Sequence, residues 1–241
     1  MTRSREVAQA IKSRLLPHGS VTRRIPLGLG AGVRLPIDLA QHSRLYLGLY
    51  ELELHRHIRA LCLPGLRSFD VGAQIGYDSL VLARLSRAPV MSFEADPRLI
   101  PALRETFAAN PSLSQHLHLR EGRVAAQSSA TRGLIALDDA AYSDGFVPGF
   151  IKVDIDGGEA EALAGAIRLL RDARPHLIIE THSLPLELEC AERLREAGYR
   201  PRVVHQRRVL PDHRPMQHNR WLVATGAPHP STFASSSYAR A

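Results

Sequence analysis

One turn constrains this chain more than any other feature. Residues 67–79 read as a short apolar strand reaching Asp70, a turn bearing Gly72 and Gly76, and the start of a helix. Glu94 follows 18 residues after Gly76, at the end of a second apolar run. Strand, glycine turn, helix and a second strand closing on an acid form a βαβ unit of the kind that holds a ribose. A nucleoside-containing ligand is therefore expected.

The spacing of the turn narrows the ligand. A dinucleotide site needs G-x-G-x-x-G, whose second glycine lets the backbone meet a pyrophosphate. Here the spacing is D-x-G-x-x-x-G. A carboxylate at Asp70 would repel a pyrophosphate and suit a cationic amino-acid end. S-adenosylmethionine has that end, a ribose and an adenine, and no phosphate. On this reading Asp70, Gly72, Ala73, Gly76 and Glu94 form the ligand site. Glu94 takes the ribose hydroxyls and Gly72 permits close backbone approach.

The remaining pattern places this unit in a larger sheet. Residues 1–16 have apolar Val7, Ile11 and Leu15 at four-residue intervals and predict a short helix. Gly- and Pro-punctuated runs over 20–36 predict a small β-ribbon or loop layer. A helix is expected over 46–61. Strands are expected over 66–71, 90–93, 116–119, 150–155 and 177–179, with helices over about 77–86, after Asp96-Pro97, over 160–170 and over 186–197. Pro101 should delay the helix after Asp96-Pro97 by a turn. Strands over 202–205 and 221–225 lack a helix between them, which predicts an antiparallel hairpin at the sheet edge. The fold class is α/β, an open and mostly parallel sheet with helices on both faces. The expected organisation is an N-terminal extension over 1–44, one domain over 45–226 and a disordered Ser- and Ala-rich tail over 227–241.

Composition excludes some partners. The net charge is +7, carried almost wholly by arginine, and aromatic residues make up 5%. Arginines spread along the chain, with few rings for stacking, disfavour nucleic acid as a partner. No apolar run approaches the roughly 20 residues of a membrane span. The start lacks a secretory pattern, and Cys62 and Cys190 have no motif spacing. Both features point to a cytoplasmic protein.

Several motifs together resemble one family. Asp70-Val71-Gly72-Ala73-Gln74-Ile75-Gly76 is similar to the first motif of class I S-adenosylmethionine-dependent methyltransferases. Phe93-Glu94-Ala95-Asp96-Pro97, Leu137-Asp138-Asp139, Ile151-Lys152-Val153-Asp154-Ile155-Asp156-Gly157-Gly158-Glu159 and His218-Asn219-Arg220-Trp221-Leu222 resemble motifs of the FkbM-like branch. The similarity covers about 45–225. Gln74 stands where Asn is usual, Asp156 where Glu is usual and Gly158 where Ala is common. The resemblance implies a Rossmann-like sheet of seven strands with the last antiparallel. It also implies S-adenosylmethionine as cofactor and O-methylation of a sugar, glycan or natural-product hydroxyl. RNA or protein methylation, or cofactor binding without transfer, are the alternatives.

A hydroxyl acceptor needs a base or a metal. Asp154 ends the fourth strand and His182 follows the fifth, where open α/β sheets bind ligands. His182 is the expected general base, oriented by Glu180 or Asp154. Asp154 meets the acceptor hydroxyl or the methionine end of the cofactor. Lys152 is expected to pair with an acid, and Asp156 and Glu159 to serve a helix start. Asp138, Asp139, Asp154 and Asp156 offer oxygens that a divalent metal could use. No metal is assigned, and His116, His118, His213 and His218 lack a metal-ligand spacing.

Overall fold

The computed structural model describes residues 19–207 and 218–234. The helix expected over 1–16 and His213 lie outside these residues. The described chain opens with an antiparallel pair, β1 (Val21–Arg24) and β2 (Arg34–Ile37), matching the expected ribbon. Asp38 caps α1 (Leu39–Tyr46) by accepting the Ala40 amide at 2.8 Å. The single helix expected over 46–61 is instead a run of turns followed by α2 (His55–Leu61). Gly48 causes the break. It has positive φ and meets Gly28 backbone so closely that a Cβ would lie 2.6 Å from the Gly28 amide nitrogen.

The main sheet follows. Its elements are β3 (Ser68–Val71), α3 (Tyr77–Ser86), β4 (Val90–Glu94), α4 (Ile100–Ala108), α5 (Pro111–Ser114) and β5 (Leu117–Glu121). A small parallel pair, β6 (Arg123–Val124) and β7 (Leu134–Ile135), precedes α6 (Leu137–Tyr142). Then come β8 (Phe150–Val153), α7 (Glu159–Ala164), a π-helical turn (Leu169–Ala173), β9 (His176–Thr181), α8 (Leu184–Glu196), β10 (Arg202–Val204) and β11 (Arg220–Ala224). Regular helix starts at Ile100, past Asp96-Pro97, as the position of Pro101 requires.

Seven strands form one sheet in the order β10-β11-β9-β8-β3-β4-β5. β11 runs antiparallel to both neighbours and the inner pairs are parallel. Connections run outward from β3 through β4 to β5, then cross back to β8 beside β3. This reversal opens a crevice at the carboxyl ends of β3 and β8, where such sheets bind ligands.

Both sheet faces are covered. Phe69, Met91, Phe93, Ile151, Val153, Leu177 and Ile179 join one apolar core with residues of α6, α7 and α8. Phe150, Ile178, Trp221 and Val223 join the opposite core with the β1–β2 pair, α2 and α3. Because side chains alternate along a strand, Asp70, Ser92, Lys152 and Glu180 share this second face. Each burial of a large apolar side chain there contributes about 1.5–3 kcal/mol. Of the polar residues on this face, Lys152 and Glu180 lie towards the carboxyl edge, with Asp70 one residue before the end of β3.

The first part of the tail is packed. Ala234 donates its amide to the Gly65 carbonyl at 2.8 Å, Phe233 bridges Leu66, and Thr232 is buried. Residues 227–234 therefore depart from the expected disorder, because their backbone pairs with the segment that leads into β3. Residues 235–241 lie outside the described part.

Candidate active site

The turn after β3 is held by backbone contacts on all sides. Gly72 and Ala73 donate their amides to the Phe93 carbonyl at 3.0 and 2.9 Å. Gly72 has φ 93°, and a Cβ there would lie 2.0 Å from the Asp154 carbonyl oxygen. The glycine thus serves the close approach of the chain leaving β8 rather than an open approach to ligand. Gly76, φ 87°, faces Leu103, Thr106 and Phe107, so its freedom seats α4 against the start of α3. Gln74 also has positive φ, 48°. The left-handed region favours Asn over Gln, which gives the departure at this position a physical cost.

Glu94 organises the loops beside this turn. Its Oε2 accepts the Gln74 amide at 2.7 Å and its Oε1 accepts the Asp96 amide at 2.7 Å. Each carboxylate oxygen has a second lone pair, so both can also accept a hydroxyl. Beside it is a cleft of about 500 Å³, floored by Val71, Gly72, Gln74 and Phe93 and walled by Asp96, Leu99, Arg123 and Asp154. A second cleft of about 290 Å³ shares Gly72, Gln74, Leu99 and Asp154 with the first. Its other wall comes from Gln41, His42 and Arg44 of α1, with Tyr50, Tyr77 and Asp78. The expected N-terminal extension therefore supplies part of the site.

Asp70 does not line either cleft. It is buried beneath them and accepts the Ser79 hydroxyl at 2.5 Å. Burial, and then the charge of Asp78, push its carboxyl up to about 7. Asp78, in the first turn of α3, faces the second cleft instead. Burial and the charge of Glu51 raise it to about 6, against the lowering effect of Lys152. Lys152 is fully buried with its Nζ 2.7 Å from Asp78, 3.2 Å from Glu51 and 3.4 Å from Asp154. Burial disfavours its charge, but Asp78, Glu51 and Asp154 outweigh it and hold the ammonium well above its ordinary range. The expected pairing of Lys152 is present, with three acids from three parts of the chain.

At the ends of β8 and β9 the order of partners differs from expectation. His182 Nδ1 lies 2.6 Å from Glu159 Oε1, whereas its Nε2 is 3.7 Å from Glu180 and 3.8 Å from Asp156. Glu159, expected only to serve a helix start, is the residue that orients the imidazole. Burial lowers the His182 pKa, but the Glu159 hydrogen bond and the charges of Glu159, Asp154 and Asp156 raise it overall. Asp154 lines both clefts, whereas His182 is on the wall of neither. The four-aspartate grouping is not formed. Asp138 accepts the Arg168 and Leu169 amides at 2.8 Å each and so caps the next helical turn. His218 pairs with Glu187 rather than with another histidine.

Sequence reasoning missed Glu51, Asp78 and the α1 residues as parts of the site. Asp78 could have been found from its place two residues past Gly76, in the first turn of the helix. Glu51 carried no local signal, because only the tertiary fold brings it to Lys152.

Comparisons with known proteins bear on the fold and on part of the chain. Residues 134–201 match the family model of the methyltransferase FkbM domain. Among solved structures, the chain is similar to a methyltransferase FkbM from Methylobacillus flagellatus KT, at 20% identity and a TM-score of 0.56. That match covers 66% of this chain and 43% of the other, so the chain spans less than half the length of that protein. It is also similar to P. horikoshii TYW2 in complex with MeSAdo, at 14% identity and a TM-score of 0.52, covering 80% of this chain and 67% of that one. A third similar structure is a precorrin 8w decarboxylase from Methanobacterium thermoautotrophicum, at 20% identity and a TM-score of 0.51, covering 80% and 94%. No curated protein matches the chain in sequence. Over residues 134–201 the chain is thus similar to the methyltransferase FkbM domain, and its seven-stranded sheet shares its fold with these solved structures.

Proposed function

We propose that the chain transfers the methyl group of S-adenosylmethionine to a hydroxyl of a small-molecule or glycan acceptor. The observation that carries this reading is the pair of contiguous clefts meeting at Gly72, Gln74 and Asp154. A nucleoside joined to an amino acid needs such a bipartite site. The residues present fit it. Glu94 offers lone pairs to the ribose hydroxyls in the larger cleft. Asp78 and Asp154 offer negative charge to the ammonium in the smaller cleft, with Arg44 on its wall for the carboxylate. Asp70 acts from beneath, by keeping Ser79 and the start of α3 in place. Gly72, Ala73 and Gly76 shape the turn between these groups. The cofactor supplies an electrophilic methyl group.

The chain's own part in the chemistry is to place the acceptor and remove its proton. Asp154, on the walls of both clefts, meets the acceptor hydroxyl. His182, held by Glu159, takes the proton. Two buried, unpaired thiols, Cys62 and Cys190, and the absence of any described helix long and apolar enough to cross a membrane support a cytoplasmic setting.

Labelled methyl transfer into small-molecule and glycan fractions tests the proposal. The expected product carries label on oxygen, and Asp154→Asn lowers the rate by about 10²-fold or more. Label found only on RNA or protein would overturn the acceptor class.

A further inference from the structure

The ends of β8 and β9 carry more ligand chemistry than proton removal requires. Lys152 pairs with Ile178 across these strands. Two residues further along, Asp154 and Glu180 are level at the carboxyl edge, and His182 follows by another two. Asp154, Glu180 and His182 each present one donor atom, and these atoms all lie within 4.8 Å of one another. All three side chains are nearly or fully buried.

The arrangement around His182 selects the donor nitrogen. Nδ1 is engaged by Glu159, so Nε2 faces the carboxylates. Its 3.7 Å separation from Glu180 Oε1 is too long for a hydrogen bond. Two donors bound to one ion at about 2.1 Å each stand roughly 3.0–3.5 Å apart, so a small inward movement would seat both. Glu159 is fully buried, and its Oε2 has no hydrogen-bond partner. A carboxylate behind a ligating imidazole fixes the ring and strengthens it as a donor.

We infer that Asp154, Glu180 and His182 form a three-ligand site for a divalent transition-metal cation, with Glu159 as the positioning residue behind His182. An imidazole with two carboxylates suits manganese or zinc better than calcium, which prefers an all-oxygen set. Three protein donors leave positions open for water or an acceptor oxygen, whose proton the cation would make easier to lose. The inference rests on the reading that this end of the sheet receives the acceptor. His182 is then a ligand when the cation is bound and the proton acceptor when it is not.

Manganese titrated into the chain stripped of metal, followed by the loss of the free-ion paramagnetic resonance signal, tests the site. One ion per chain is expected. His182→Gln and Glu180→Gln should each weaken binding by at least 10-fold, and Glu159→Gln by about 10–100-fold. The exposed Glu189→Gln should bind as wild type, and thermal melts check that each variant is folded. Absence of binding by the wild-type chain, or unchanged binding by folded His182→Gln and Glu180→Gln, would overturn the site. S-adenosylmethionine titrated into the wild-type chain and into Glu180→Gln and His182→Gln, whose residues line neither cleft, reports on the donor site, so failure of one reading is told apart from failure of the other.

Discussion

Glu94 serves structure first, and on the proposed reading the ligand as well. Its two oxygens hold the amides of Gln74 and Asp96, and thereby fix the two loops that border the larger cleft. Glu94→Gln removes the charge and one acceptor while keeping the volume. Hydrogen bonds to a charged group contribute about 1.5–3 kcal/mol, so cofactor affinity should fall about 10–100-fold in a calorimetric titration. Gln74 is a second residue-scale case. Its left-handed backbone carries a cost of the order of 1 kcal/mol that Asn relieves in part. Gln74→Asn should therefore raise the midpoint of thermal unfolding by a few degrees. The positions of Glu94 and the glycine turn were legible because they lie within one βαβ unit, but the packing that Gly72 and Gly76 serve was not. Asp70 was legible as important but not as buried. Its carboxyl is turned to Ser79 in the first turn of α3, and only packing reveals that Asp78 is the acid on the wall of the second cleft.

At the scale of elements, Lys152 joins parts of the molecule that are far apart in sequence. It ties β8 to the start of α3 through Asp78 and to the turn before α2 through Glu51. Lys152→Met leaves these buried acids without their cation and should cost about 3–5 kcal/mol by chemical denaturation. Asp70, on the same sheet face, gives this region a pH dependence. Its folded pKa of about 7 stands above the ordinary 3.8, so the folded state holds the proton more tightly than the unfolded chain. The stabilisation is complete below the unfolded value and is lost as pH rises through the folded value. The stability of Asp70→Asn relative to wild type should therefore increase from about pH 4 to about pH 8. Equal pH dependence of the two proteins would contradict this origin. Most strands and helices were legible from periodicity, but the helix expected over 46–61 was not broken in sequence terms. Apolar residues there satisfy a helical pattern locally, while the close contact of Gly48 with Gly28 forces turns.

The whole molecule places its chemistry at one edge of the sheet. The reversal of connections between β3 and β8 opens the crevice, and the packed faces leave their polar side chains at its floor. The α1 segment then closes the second cleft, making the N-terminal extension part of the site. That contribution could not be read from the motifs, because His42 and Arg44 reach the cleft through packing rather than through any local signature. The seven-strand sheet and its antiparallel β11 were legible through alternation of strands and helices and through the family resemblance. The most direct measurement is calorimetric titration of S-adenosylmethionine into the chain. Binding of one molecule per chain, weakened about 10-fold or more by Glu94→Gln and by Asp78→Asn, is the expected result. No binding by the folded wild-type protein, or equal affinity in both variants, would contradict the donor site at the meeting of the two clefts.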